Sequence, residues 1–261
     1  MVDSIHTINN NIILKPSSFS RGFLFISMLK NILTIVIPCK NEGINIYDCV
    51  GLICTQKNIL GTKIIIADNS DDESSMWWLW KTKTDFKYSL NIEVIKGGYP
   101  AKARLEGSKL VTTPYTLFLD ADIMLKQKDL LEKISQENKD LITVPFITEK
   151  EWNWVFKAFN IFQILSVKIG TPFAVGGFQY WNTKAYWECG GYKEDELFAE
   201  DYSVSHLVNS KKFKIYKTKG VYTSARRFKN KGVFYMFWLM IKCYMNRKNP
   251  EFFKQHHNYW S

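Results

Sequence analysis

Near-continuous apolar runs alternate with mixed apolar and polar stretches through the first half of the chain. Residues 32–38 (ILTIVIP) and 63–67 (KIIIA) carry β-branched side chains at almost every position, as strands covered on both faces do. Residues 91–95 predict a third strand and 115–119 a fourth, which ends on two aspartates. Helices are expected between them, over 45–56, over a stretch presenting Trp77, Trp78 and Trp80, and over 101–110. Strand, loop and helix repeated in this way build a doubly wound α/β half, where ligands bind beyond the carboxyl ends of the strands.

The second half reads differently. A strand is expected at 141–145, then a helix over 151–168 with an aromatic face of Trp152, Trp154, Phe156, Phe159 and Phe162. Residues 170–181 (GTPFAVGGFQYW) mix glycine with β-formers. A short helix at 184–189 runs into Gly190-Gly191, a C-cap signal, and a further helix opens at Glu200-Asp201 and continues to about Val208. Strands follow at 213–216 and 221–223, and residues 232–245 (GVFYMFWLMIKCYM) form the most apolar stretch. The expected organisation is an N-terminal extension at 1–31, an α/β domain at 32–228 and a basic, apolar helical segment at 229–261.

Charge sharpens that division. The net charge is +10, yet from Lys211 onward 13 Lys and Arg face the single acid Glu251, while the rest of the chain carries 22 basic and 24 acidic residues. The excess positive charge is C-terminal, which suits an anionic partner at one end of the molecule. No nucleic-acid-binding motif or zinc spacing accompanies it, which argues against nucleic acid. The five cysteines form no C-x-x-C pair and leave one over, as expected of reduced thiols in the cytoplasm. The apolar runs at 23–29 and 232–245 are too short to span a bilayer. Met28 stands just before the first strand and is a candidate initiator, with a short ordered appendage as the alternative reading of 1–27.

Candidate chemistry collects at strand ends. Asp120 and Asp122 follow the fourth strand at i, i+2, so strand alternation would put both on one side. Two adjacent carboxylates with apolar flanks call for a cation, and a divalent ion carrying a diphosphate usually keeps only one or two protein carboxylates. Polar loops at 39–43 and 68–72 end the first two strands and would converge on the same crevice. The Gly97-Gly98 pair supplies no G-x-G-x-x-G after the first strand, which argues against a nicotinamide enzyme.

Seven motifs stand in one order: TIVIPCKNEG at 34–43, IIIADNSDD at 64–72, AKARLEG at 101–107, LFLDAD at 117–122, GGFQYW at 176–181, GGY at 190–192 and AEDY at 199–202. Together they resemble the family 2 glycosyltransferases, over roughly residues 32–225. The resemblance implies a GT-A Rossmann-like mixed sheet flanked by helices, and inverting transfer from a nucleotide sugar, with UDP as the expected nucleotide. It also implies roles. Pro38, Asn41 and Glu42 would line the base and ribose pocket. Asp68 would bind the base, and Arg104 would reach the base or phosphates. Asp120 would sit by the ribose and metal, with Asp122 as principal ligand of Mg²⁺ or Mn²⁺. Glu200 belongs to the nucleotide-sugar set, and Asp201 would be the catalytic base.

One departure is that the late histidine of many such enzymes is replaced here by Tyr222-Thr223-Ser224-Ala225-Arg226-Arg227, whose guanidiniums suit a diphosphate. His206 is expected to be structural. A nucleotidyltransferase is the competing enzyme reading, but residues 39–42 lack its glycine- and Lys/Arg-rich phosphate loop. A non-catalytic, membrane-associated nucleotide-sugar-binding protein is the other. The acceptor is expected to be a glycan, a lipid-linked molecule or a protein, and residues 229–248 are expected either to make peripheral contact with the cytosolic face of a membrane, or to pack on the domain as core, or to divide one face to each.

Overall fold

The computed structural model describes residues 28–257, and there the β-branched runs become the centre of a seven-stranded sheet. In chain order the first half contributes β1 (Leu33–Cys39), α1 (Ile44–Cys54), β2 (Lys63–Asp68), α2 (Glu73–Phe86), β3 (Asn91–Lys96), α3 (Pro100–Lys109) and β4 (Tyr115–Leu119). Then come β5 (Met124–Leu125), α4 (Leu130–Ser135), β6 (Leu141–Thr143), α5 (Asn153–Lys168), β7 (Phe178–Asn182) and α6 (Thr183–Glu188). The chain closes with α7 (Glu200–Ser205), β8 (Phe213–Ile215), β9 (Val221–Tyr222), α8 (Arg226–Lys231), α9 (Val233–Met245) and α10 (Pro250–Phe253).

The sheet order is β3-β2-β1-β4-β7-β6-β8. The first four strands are mutually parallel, β7 runs antiparallel between β4 and β6, and β6 pairs with β8 in parallel. The sheet is therefore mixed, and β5 and β9 form a separate two-stranded ribbon. Strand order reverses between β1 and β4, so their carboxyl ends border the crevice where such folds take ligands.

Alternation along the strands divides the core. Ile35, Ile37, Leu117 and Leu119 pack on one face with Ile46, Val50 and Ile53 of α1. Val36, Ile65 and Phe118 point to the other face and meet Trp181, Tyr186 and Tyr192. A third apolar cluster joins Phe173, Phe198 and Tyr202 to Leu239, Cys243, Phe252 and Phe253, so α9 and α10 rest one face on the α/β body. Backbone N–H groups of Leu197 and Phe198 also donate to the Phe253 carbonyl at 2.8 and 3.1 Å.

Several boundaries differ from the sequence expectation. The strand expected at 141–145 stops at Thr143, and the helix expected from 151 begins with a 3-10 turn, Lys150–Trp152, before α5. Residues 170–177 are irregular, and only Phe178–Asn182 forms a strand. Leu29, assigned to the extension, is fully buried in the main core. The expectations for residues 1–27 lie outside the described residues.

Helix α3 lies unusually close to β1. A Cβ on Gly107 would stand 2.3 Å from Val36 Cγ1, and Val36 is buried and β-branched, so it has little room to yield. Gly107→Ala is expected to destabilise the fold by about 1–3 kcal/mol in urea denaturation, the usual cost of overpacking. Combining it with Val36→Ala should cost less than the two single changes added. Strict additivity would show that the close approach is not the cause.

Candidate active site

The site is organised from the end of β4. Phe118 faces the α3 side of the sheet, and alternation carries Asp120 to that side too. There Arg104 of α3 donates from Nη2 to Asp120 Oδ1 and from Nη1 to Glu200 Oε1, both at 2.5 Å. The Arg104 side chain is 3% exposed, and its guanidinium lies over the Tyr192 ring at 5.5 Å. Burial opposes its charge, but Asp120, Tyr192 and Glu200 outweigh that, so its pKa is raised. Arg104 and Glu200, expected in the nucleotide-sugar set, are both buried here and bind each other.

Asp120 and Asp122 do come together, but not by strand alternation. The strand ends at Leu119, and Ile123 N–H donates to the Asp120 carbonyl at 3.1 Å, closing a turn. Burial pushes the Asp122 carboxyl up to about 6, with Asp120 and Glu42 adding to it and Arg227 and Arg226 opposing.

Asp201 stands at the start of α7, set there by Ala199 in the left-handed region (φ 47°). A non-glycine residue in that conformation is uncommon and is held by its surroundings. Backbone N–H groups of Gly176 and Tyr202 donate to the two oxygens of Asp201 at 2.7 and 2.8 Å. Its pKa is nonetheless raised, first by burial and then by Glu200. A carboxylate held in this way is oriented and more basic than a free one.

Asp120, Asp122 and Asp201 line one cavity of about 460 Å³, with Thr223, Ser224, Arg226 and Arg227 in the same wall. Pro38, Asn41, Glu42 and Asp68 are outside that wall, Pro38 and Asp68 at the carboxyl ends of β1 and β2 and Asn41 and Glu42 on the loop after β1. Those loops are stitched together. Asn41 Nδ2 donates to Asp71 Oδ1 at 2.7 Å, Asp71 N–H returns a bond to Asn41 Oδ1 at 3.0 Å, and Ser70 Oγ donates to Asp68 Oδ1 at 2.7 Å. Asn41 has φ 54°, and Asn tolerates that conformation better than most residues. Gly97 closes the same edge: its N–H donates to the Asp68 carbonyl at 2.6 Å, and a Cβ there would lie 2.5 Å from the Ala67 carbonyl oxygen.

The donors present fit a divalent cation. Asp122 is a half-buried carboxylate whose charge two neighbouring acids disfavour, the environment a cation relieves. Among the described residues no three His, Cys, Asp or Glu side chains are grouped to hold a metal by themselves. One or two carboxylates completed by water and phosphate oxygens is the usual arrangement for Mg²⁺.

His206 is structural here: Nδ1 donates to the Tyr202 carbonyl at 2.8 Å, and the ring stacks on Tyr202. Three further residues, all within the GGFQYW and GGY motifs but given no role from the sequence, support the site. Gly176 donates to Asp201, and a Cβ on it would stand 2.6 Å from Arg104 Nη2. Tyr192 lies against Arg104 and donates to Gln179 Oε1 at 2.8 Å, while Gln179 Nε2 donates to the Ala174 carbonyl at 2.7 Å.

A family model described as glycosyl transferase family 2 matches residues 34–190. No curated protein sequence matches the chain. Among solved structures, S. aureus TarS is similar at 14% identity and TM-score 0.57, covering 77% of this chain and 38% of that one. Its 1-349 fragment in complex with UDP-GlcNAc gives 14% and 0.55, covering 74% and 58%. The mannosyltransferase PcManGT from Pyrobaculum calidifontis, in complex with GDP-Man and Mn²⁺, gives 14% and 0.57, covering 80% and 64%. These likenesses show the fold, the GT-A Rossmann-like mixed sheet expected above. The chain spans less than two thirds of each of these structures.

Since the Asp122 carboxyl titrates near 6 in the fold, above the ordinary aspartate value of about 3.9, its ionisation weakens the metal-free protein as pH rises through that window. In EDTA at pH 7.5, Asp122→Asn should therefore melt higher than the parent, by on the order of 2–6 °C. The advantage should vanish at pH 4, where both forms are neutral at this position. An equal or lower melting point for the variant at pH 7.5 would overturn this account of Asp122.

Proposed function

The chain belongs to glycosyl transferase family 2, and from that premise we propose that it is an inverting transferase moving a sugar from a UDP-linked donor to an acceptor hydroxyl. The observation that carries this reading is that Asp122, Asp201 and the Arg226-Arg227 pair line one cavity. Solved relatives of the fold hold UDP-GlcNAc or GDP-Man with Mn²⁺, which supports a nucleotide-sugar donor and a divalent cation.

In this mechanism Pro38, Asn41, Glu42 and Asp68 receive the nucleoside. The stitched loops pre-order that pocket, so little conformational entropy is lost on binding. Asp122, with the second oxygen of Asp120, would hold Mg²⁺ or Mn²⁺, and that ion would supply positive charge toward the leaving diphosphate. Arg226 and Arg227 bind the diphosphate through charge-assisted hydrogen bonds. Asp201 takes the proton of the acceptor hydroxyl as that oxygen attacks the anomeric carbon, and attack opposite the leaving group inverts the centre. Arg104 and Glu200 are positioning residues that hold Asp120 against the start of α7.

Helix α9, beyond the transferase domain proposed at 32–228, supplies part of the cavity wall. The five cysteines are free, which fits the proposed cytoplasmic location.

The test is release of UDP from a panel of UDP-sugars with Mn²⁺ or Mg²⁺. Asp122→Asn should abolish the metal-dependent rate, and metal-dependent turnover near the parent level would remove Asp122 from the site. Asp201→Asn should slow transfer by about two to four orders of magnitude with donor affinity retained. Equal loss of affinity and rate would make Asp201 structural. Replacing Arg226 and Arg227 together by Ala should weaken UDP binding more than uridine binding in calorimetry. Identical weakening would take the pair off the diphosphate.

A further inference from the structure

The cavity that holds the aspartates is apolar over most of its wall. Phe159, Phe162 and Leu165 of α5 face Leu239, Met240 and Ile241 of α9 across it, and Phe173 and Phe198 close the third side. A site built only for sugars and phosphates would be lined by hydrogen-bonding groups, whereas buried apolar lining receives apolar ligand surface. Two hydroxyls interrupt the lining: Tyr202 Oη and Thr171 Oγ1 are buried with no hydrogen-bond partner among the described residues. Their company suits a ligand that is mainly apolar but carries a polar group.

Four of the lining residues, Leu165, Ile169, Ile241 and Tyr244, are also exposed to solvent, which locates the mouth of the cavity between α5 and α9. Around the mouth the exposure continues with Ile161 and Ile164 on α5 and with Phe234, 93% exposed, and Trp238 on α9. The charges on these two helices are all positive: Lys157 and Lys168 on α5, Lys242 on α9, with Arg247 and Lys248 just beyond and no acid in either helix. Exposed aromatic and aliphatic side chains on helices whose own charges are all basic match an anionic bilayer surface.

We propose that the chamber between α5 and α9 is the acceptor subsite, that it takes the hydrocarbon part of an amphiphilic acceptor, and that its mouth rests on an anionic membrane from which that acceptor is drawn. The acceptor hydroxyl then reaches Asp201, its proton passes to the carboxylate, the new bond to the anomeric carbon forms, and the diphosphate leaves with the electron pair of the broken bond. This deepens the transferase reading and rests on it.

The full chain would be examined in three measurements on one preparation. Calorimetry with UDP and Mn²⁺ checks the underlying reading by itself. Next, n-alkyl β-glucosides from propyl to octyl are titrated in the presence of UDP and Mn²⁺. Their Kd should tighten about three- to fourfold per added methylene until the chamber is filled, and Leu165→Trp should flatten that dependence. Finally, co-sedimentation with phosphatidylcholine vesicles is compared with vesicles containing phosphatidylglycerol. Binding is expected only to the latter, weakening as salt rises. Phe234→Glu with Trp238→Glu should abolish it while UDP binding is unchanged.

If UDP and Mn²⁺ bind but the alkyl series is flat and neither vesicle sediments the protein, the inference fails while the transferase reading stands. No UDP binding at all would sink the reading beneath it. A dimer that buries the face, or vesicle binding that appears only after residues 1–27 are removed, would assign the face to a second copy or to the chain's own N-terminus and overturn the proposal.

Discussion

A single buried guanidinium ties the catalytic half of this molecule together. Arg104 connects the end of β4, through Asp120, to the start of α7, through Glu200, from a position 3% exposed. Three charges in a low-dielectric interior are costly to desolvate, and removing one would leave the others uncompensated, a loss of the order of 3–5 kcal/mol. Geometry follows from that constraint. The neighbours of the two paired acids, Asp122 and Asp201, come to line the same cavity, each one or two residues from its anchor. Gly176 belongs to this arrangement as well, because only a residue without a Cβ can donate its N–H to Asp201 while lying so near Arg104.

The paired acids leave the other two in a different electrostatic state. Asp120 and Glu200 have a permanent counter-charge, whereas Asp122 and Asp201 are held by burial and by like charges, and both are shifted upward. The site is therefore least comfortable when empty and ionised, which is the condition that a cation at one carboxylate and a proton at the other relieve. The ends of β1 and β2, proposed to receive the nucleoside, are built on the opposite principle: Asn41, Asp71, Ser70 and Asp68 already satisfy one another between two loops.

Helix α9 joins the cavity to the surface. Leu239 and Cys243 pack α9 into the third core cluster, while Phe234 and Trp238 on the same helix remain in solvent. One helix thus closes the cavity from one side and presents an apolar, basic face on the other. A 13-residue helix cannot cross a bilayer, and no helix among the described residues is long and apolar enough to do so.

What the amino-acid order determined by itself was local in origin. The β-branched runs at 33–37 and 64–66 needed only the period of the backbone to read as covered strands, and the polar residues after them marked the loop ends. Motif order then identified the family and brought forward Asp122, Asp201 and the Arg226-Arg227 pair, all of which line one cavity. Tertiary structure decided what depends on residues far apart in the chain. Nothing near Arg104 reveals that its partner lies 96 residues away, and periodicity alone placed Asp120 and Asp122 on a strand that in fact ends in a turn. The chamber between α5 and α9 is likewise invisible in either helix alone, because an aromatic stripe at helical spacing looks the same whether it packs solidly or lines a void. Only the distance between two packed elements distinguishes them, and that distance is set by the whole fold.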